Sequence, residues 1–179
     1  MSTPSDSYLS HKKSLPQGIG EAVEYSISLA SQILIWAPLR VFFFFLGRLE
    51  VRGWENIGRI NSHSFLIISN HTSYLDHFLI SHIFPFGITY FPFRYPADPE
   101  HYLTWKMPFM WALGAYPIFK GLGLEKSLEK SLRILHAGGR ILLYPEGRIK
   151  RYGRRKHARR GVAYLASRAG VPILPCRIS

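Results

Sequence analysis

The run Ile27 to Leu46, ISLASQILIWAPLRVFFFFL, constrains this chain more than any other feature, because twenty almost wholly apolar residues must cross a bilayer, lie in one, or fill a core. Its length matches a hydrocarbon layer of roughly 30 Å. Two residues argue against a plain span. Pro38 lacks the N–H that a helix interior uses, and Arg40 is costly at a bilayer centre. A bent pair of helices lying in one leaflet answers both, with Leu34, Ile35, Trp36 and Phe42 to Phe45 among acyl chains. Arg40, Arg48 and Arg52 then reach the headgroups. A single transmembrane helix and a buried core helix are the competing readings. Residues Met1 to Gln17 are polar and have none of the features of a cleavable signal.

The full chain of 179 residues is long enough for one compact domain and too short for two. The expected division is 1–48, a tail with membrane-associating helices, and 49–179, a catalytic domain. Lys and Arg outnumber Asp and Glu by 23 to 11, so something anionic is attracted: nucleic acid, a phospholipid surface or a phosphorylated substrate. The single cysteine, Cys176, forms no internal disulfide, which fits a reducing compartment or the cytoplasmic side of a membrane. In its apolar run it reads as a buried structural thiol.

Beyond Arg48, short apolar runs alternate with longer mixed segments, the pattern of an α/β domain. Strands are expected at 64–69, 87–95, 116–119, 140–144 and 171–178. Helices are expected at 73–83, 99–113 with Pro108 as an interruption, 124–136 and 158–169. Leucines at 124, 128, 132 and 135 give one buried helical face, and Gly138 with Gly139 ends it. Gly170 closes the last helix. A mostly parallel or mixed sheet flanked by helices follows, with the N-terminal helical segment embedded in a membrane. Sites in such sheets lie beyond the carboxyl ends of the strands.

Two polar segments follow expected strands directly: Asn70 to Asp76 (NHTSYLD), and Pro145-Glu146-Gly147-Arg148. Transfer of an acyl group to an alcohol needs a base for the hydroxyl proton, and a histidine suits that task. His71 is the candidate, with Asp76 as the carboxylate that fixes its tautomer. The two meet if His71 lies in the turn before the helix and Asp76 in its first turn, since five residues within one helix rotate by about 500°. The plainer reading has Asp76 as a helix cap and His71 bonded to a loop carbonyl. Ser73 and Asp76 also have capping-box spacing, which explains Ser73 more simply than a covalent role. A metal set of His71, Asp76, His77 and His82 matches no standard ligand spacing.

Four segments in order resemble the motifs of the glycerophospholipid acyltransferase superfamily, the group containing the 1-acylglycerol-3-phosphate acyltransferases. Asn70-His71 through Asp76 resembles N-H-x-x-x-x-D, and Gly114 to Lys120 (GAYPIFK) resembles a second motif ending in a basic residue. Tyr144-Pro145-Glu146-Gly147-Arg148 resembles aromatic-P-E-G, and Val171 to Pro175 resembles V-P-I-x-P. The resemblance covers about residues 49–179. It implies that His71 is the general base and Asp76 its partner. It implies that Lys120, Glu146, Gly147 and Arg148 hold the acceptor, with basic groups on its phosphate. It assigns the region of Pro172 an acyl-chain or structural role, beside which a buried strand is an equal reading. The implied reaction moves an acyl group from acyl-CoA or acyl carrier protein to a lysophospholipid, with no metal or organic cofactor, at the cytoplasmic face of a membrane bound monotopically or by a single pass. Departures concern the acceptor: Lys120 stands where arginine is common, and Arg148-Ile149 stands where threonine-arginine is common. That variant resembles branches acting on other lysophospholipids. The chain stops at Ser179 just after the last motif, where relatives usually continue, so a short member and an incomplete one are both open.

From Arg148 to Arg160 eight of thirteen residues are Lys or Arg, which suits lipid headgroups, coenzyme A phosphates or an acidic carrier protein. A nucleic-acid-binding module is the rival that charge alone permits, but its recognition motifs are absent and it leaves Ile27–Leu46 unexplained. A catalytically silent lipid-binding protein and a transacylase between phospholipids also fit the pattern.

Overall fold

The computed structural model describes residues 18–46, 49–60, 62–85, 89–99, 105–119, 121, 123–147, 149 and 159–179. Five strands, β1 (Phe65–Ile68), β2 (Phe93–Ala97), β3 (Ala115–Pro117), β4 (Arg140–Leu143) and β5 (Ile173–Pro175), form one sheet in the order β3-β2-β4-β1-β5. Every pairing among them is parallel. The helices are α1 (Ile19–Leu46), α2 (Glu55–Gly58), α3 (Asp76–Ile83), α4 (Met107–Ala112), α5 (Gly123–His136) and α6 (Gly161–Ala169).

Alternation along the strands makes three layers. Phe65, Ile67, Phe93, Leu142 and Leu174 face one side, where they meet Ile80 and Phe84 of the α3 region with Leu29 and Trp36 of α1. Leu66, Ile141 and Leu143 face the other, against Leu128 and Leu135 of α5 and Leu165 of α6. β1 is buried on both faces, as a central parallel strand requires. Ile68 is level with Leu143 of β4 and with Pro175 of β5. The segments beginning at Ser69, Tyr144 and Cys176 therefore leave the sheet at one edge.

The long N-terminal helix differs from the expected bent pair. α1 is one continuous helix from Ile19, with Pro38 inside it. A proline forfeits one bond of the ladder, and the remaining turns carry the helix past it. The helix also begins eight residues before the apolar run, because its first half is fastened to the sheet by polar side chains. Glu24 pairs with Arg94 of β2 and lies 3.2 Å from Lys130 of α5. The Gln32 amide donates to the carbonyls of Phe93 and Leu113 at 2.8 Å each and accepts from the Phe93 amide at 2.8 Å. The second half leaves Leu34, Val41, Phe42, Phe44 and Phe45 exposed, the last two at 79% and 80%. By length and composition α1 could cross a membrane.

Other boundaries move for local reasons. β2 begins at Phe93 rather than before it, since Pro92 has no N–H to offer a ladder. Pro108 starts α4 instead of interrupting a helix, the first-turn position where proline is well tolerated. β3 and β5 are three residues each, shorter than expected. Gly170, at φ 64, closes α6 in the left-handed conformation that glycine adopts without strain.

Candidate active site

β1 delivers Asn70 and His71 to the carboxyl edge of the sheet, where Asn70 acts as a clasp. Its side chain donates to the Ile178 carbonyl and accepts from the Ile178 amide, both at 2.8 Å, tying the segment after β5 to the segment after β1. The Ser69 amide donates to the Leu143 carbonyl at 3.1 Å, and the Cys176 amide to the Ile68 carbonyl at 2.7 Å. Cys176 is partly buried here, and burial pushes its thiol up to about 11, in keeping with a structural role.

The turn from His71 to Asp76 is organised by one carboxylate. Asp76 is fully buried at the start of α3. Its Oδ2 accepts from His71 Nδ1 at 2.9 Å, from the Thr72 amide at 2.6 Å and from the Ser73 amide at 2.9 Å. Its Oδ1 accepts the Thr72 hydroxyl at 3.0 Å. With three other donors converging on it, Asp76 is the acceptor of the pair, so in the neutral imidazole the hydrogen sits on Nδ1 and the lone pair on Nε2. The expected capping box is half present. The carboxylate reaches back to the Ser73 amide, but the Ser73 hydroxyl accepts from Leu75, at 3.1 Å, and α3 starts only at Asp76. The turn is given over to holding His71.

Tyr144, first residue of the third motif, lies flat against His71 with ring centroids 3.9 Å apart and planes 10° from parallel. Burial first, then the charge of Asp76, holds its phenol far above the usual tyrosine range, and the hydroxyl has no partner among the described residues. The imidazole is thus fixed by a bond at Nδ1 and a stack on one face. Glu146 and Gly147 follow in the turn closed by the Gly147 amide on the Tyr144 carbonyl at 2.9 Å. Lys120 and Arg148 lie outside the described residues, as does most of the basic run.

His77 and His82 do not join His71. His77 packs beside Phe78 and Tyr95, and burial, aided by His71, pulls it down to about 4, so it is neutral at physiological pH. His82 packs between Trp36 and Phe43 of α1, where burial and then Arg40 lower it. Among the described residues no group of three or more His, Cys, Asp or Glu side chains is arranged to hold a metal. Two narrow clefts of about 20 Å³ each lie against α3, one between it and α1 and the other between it and the sheet. One touches His77 and Tyr95, the other Trp36 and Leu39, and they share Phe78 and Ser81. Sequence reasoning missed the contributions of Tyr144 and His77. The aromatic place in the third motif signals the first, and nothing local signals the second.

Residues 48–179 match the protein family described as Acyltransferase. Over 144 residues, 79% of this chain, the sequence is 24% identical to the 1-acyl-sn-glycerol-3-phosphate acyltransferase BAT2, chloroplastic, of Brassica napus. The chain spans 39% of that relative's length. No solved structure matches it. With a parallel sheet that gathers the loops of its motifs at one edge and a family match across most of its length, the chain belongs to the acyltransferase family.

Proposed function

We propose that this acyltransferase moves a fatty acyl group from acyl-CoA or acyl carrier protein to the free hydroxyl of a lysophospholipid, with 1-acylglycerol 3-phosphate as the preferred acceptor. The observation that carries this reading is the bond from His71 Nδ1 to the buried Asp76, which leaves Nε2 free to take a proton. As the acceptor oxygen attacks the thioester carbonyl, its proton passes to Nε2 and the imidazolium is stabilised by Asp76. Collapse of the tetrahedral adduct breaks the carbon–sulfur bond, and the proton leaves with the thiolate as the free thiol. Transfer is direct, without an acyl-enzyme, and the Ser73 hydroxyl, which accepts from the Leu75 amide, serves the turn. Lys120, Glu146, Gly147 and Arg148 hold the acceptor headgroup. The reaction needs no metal or organic cofactor.

The same reading gives α1 a monotopic seat at the cytoplasmic face. Residues up to Gln32 are fastened to the sheet, and beyond it Trp36 and Phe43 pack on His82 of α3, so α1 is held along the domain and offers lipid only the exposed face of its second half. Phe42, Phe44 and Phe45, all exposed, enter one leaflet. Replacing Phe44 and Phe45 by Ser is expected to reduce flotation with anionic phospholipid vesicles, and unchanged flotation contradicts the seat.

The reaction is tested with the full chain in detergent, given 1-acylglycerol 3-phosphate and an acyl thioester. Phosphatidic acid and free thiol are expected in equal amounts. Product formed without any thioester identifies a transacylase, and no product from any lysolipid or glycerol phosphate refutes the reading.

A further inference from the structure

Asp76 holds the His71 ring at one point, and that single bond leaves the ring a freedom the reaction cannot use. The imidazole is attached at Cβ and bonded at Nδ1, 2.9 Å from Asp76 Oδ2. Turning about the line between those two anchors tilts the ring plane and swings Nε2, which lies off that line. A lone pair that takes a proton in the transition state has to keep its direction, since a misplacement of about 1 Å costs about a hundredfold in rate. His71 keeps 17% of its side chain exposed, so part of the ring is reachable by a substrate and packing has to supply the missing restraint from elsewhere.

Tyr144 supplies that restraint. Its ring lies against the imidazole with centroids 3.9 Å apart and planes 10° from parallel, two faces in full contact. A tilt toward Tyr144 is blocked by that contact, and a tilt away forfeits it. Tyr144 is itself tied down. The Ser69 amide bonds to the carbonyl of Leu143 just before it, the Gly147 amide bonds to its own carbonyl, and its side chain packs on the core that contains Phe65, Ile67 and Leu142. Once His71 has taken a proton, the same contact places a cation over an aromatic face, an arrangement favoured by roughly twofold to thirtyfold. The buried hydroxyl, with no partner among the described residues, adds to neither effect. We propose that Tyr144 is a positioning residue for acyl transfer: its ring, and not its hydroxyl, sets the plane of the His71 imidazole and with it the direction of the Nε2 lone pair. The proposal rests on the reading of His71 as the base. The contact exists only because β1 and β4 are neighbours, with Ile68 level with Leu143.

The test uses the full chain in detergent and two readouts. The first is transfer from an acyl thioester to 1-acylglycerol 3-phosphate. In Tyr144→Leu kcat is expected to fall about tenfold to hundredfold, with KM within about threefold of wild type. Tyr144→Phe, which restores the ring alone, is expected to restore kcat. Phe84→Leu opens the same core, where its ring meets Phe65, Tyr90 and Phe93, and is expected to lower stability while keeping kcat. Tyr144→Met, a flexible filler, gives the same comparison if the leucine variant does not fold. The second readout needs no reaction: the His71 Nδ1–H signal of protein labelled with 15N-histidine, identified by its loss in His71→Ala. It is expected to be sharp in wild type and Tyr144→Phe and broadened in Tyr144→Leu, where the ring takes several orientations. A kcat in Tyr144→Leu within threefold of wild type overturns the proposal. So does an equal fall in Tyr144→Phe or in Phe84→Leu, a loss carried by KM, or a signal equally sharp in all variants. A signal that behaves as expected in a protein without acyl transfer leaves the positioning role standing and overturns only the proposed reaction.

Discussion

Asp76→Asn separates the charge of Asp76 from its hydrogen bonds. Three N–H donors, from His71, Thr72 and Ser73, converge on Oδ2. An asparagine oxygen in that place keeps all three, and the new NH2 faces the Thr72 hydroxyl, which can turn to accept. The stability cost is then about 1–2 kcal/mol, that of one imperfectly satisfied buried group. Catalysis loses the full attraction between carboxylate and imidazolium. For unit charges about 4 Å apart at an effective dielectric of about 20, that attraction is ~4 kcal/mol. One factor of ten per ~1.4 kcal/mol makes the expected fall in kcat about a thousandfold, with KM little changed. Asp76→Ala is the poorer probe, because it abandons three inward-facing donors at roughly 1–3 kcal/mol each and threatens the fold. The assay is thiol release from the acyl thioester, with thermal denaturation on the same preparations. A kcat within tenfold of wild type in a folded Asp76→Asn protein would refute the assignment of Asp76 as the group that stabilises the imidazolium.

Asn70→Ala removes two bonds to the Ile178 backbone and is expected to cost roughly 1–3 kcal/mol in chemical denaturation, while Asn70→Gln, one methylene too long, recovers little. Tyr144→Phe deletes a buried hydroxyl that has no partner among the described residues and keeps the ring against His71. Its kcat and stability should equal or exceed wild type, and a large loss of kcat would mean that the phenol contacts the substrate. His77, held at about 4 in the fold against 6.5 in the unfolded chain, takes up its proton first in the unfolded state as pH falls. Its contribution to stability is full above pH ~6.5 and is lost toward pH ~4, a change of about 3 kcal/mol. His77→Gln should flatten that part of the stability–pH curve.

The His71–Asp76 pair is legible in the sequence because its segment resembles the N-H-x-x-x-x-D motif, since spacing and chemistry alone leave a helix cap and a loop bond open, and the structure brings the two together at 2.9 Å. The α/β arrangement is legible because buried parallel strands are continuous apolar runs, and FLII and the ILL that follows Arg140 are such runs. What escapes the sequence is carried by distant contacts. Asn70 is visible as part of a motif, but its partner Ile178 lies 108 residues away. Tyr144 is visible as an aromatic, but stacking on His71 depends on β1 and β4 being level neighbours. The reach of α1 is hidden because Glu24, which looks like a polar residue before the apolar run, and Gln32, which looks like an interruption within it, are its fastenings to β2. Lys120 and Arg148 carry chemistry by resemblance alone, since they lie outside the described residues.

The most direct measurement is acyl transfer from an acyl thioester to 1-acylglycerol 3-phosphate by membranes containing wild-type protein or His71→Ala at equal protein level. The account predicts phosphatidic acid and free thiol from wild type and neither above background from the variant. Equal activity in the two would remove His71 from the mechanism and contradict the account.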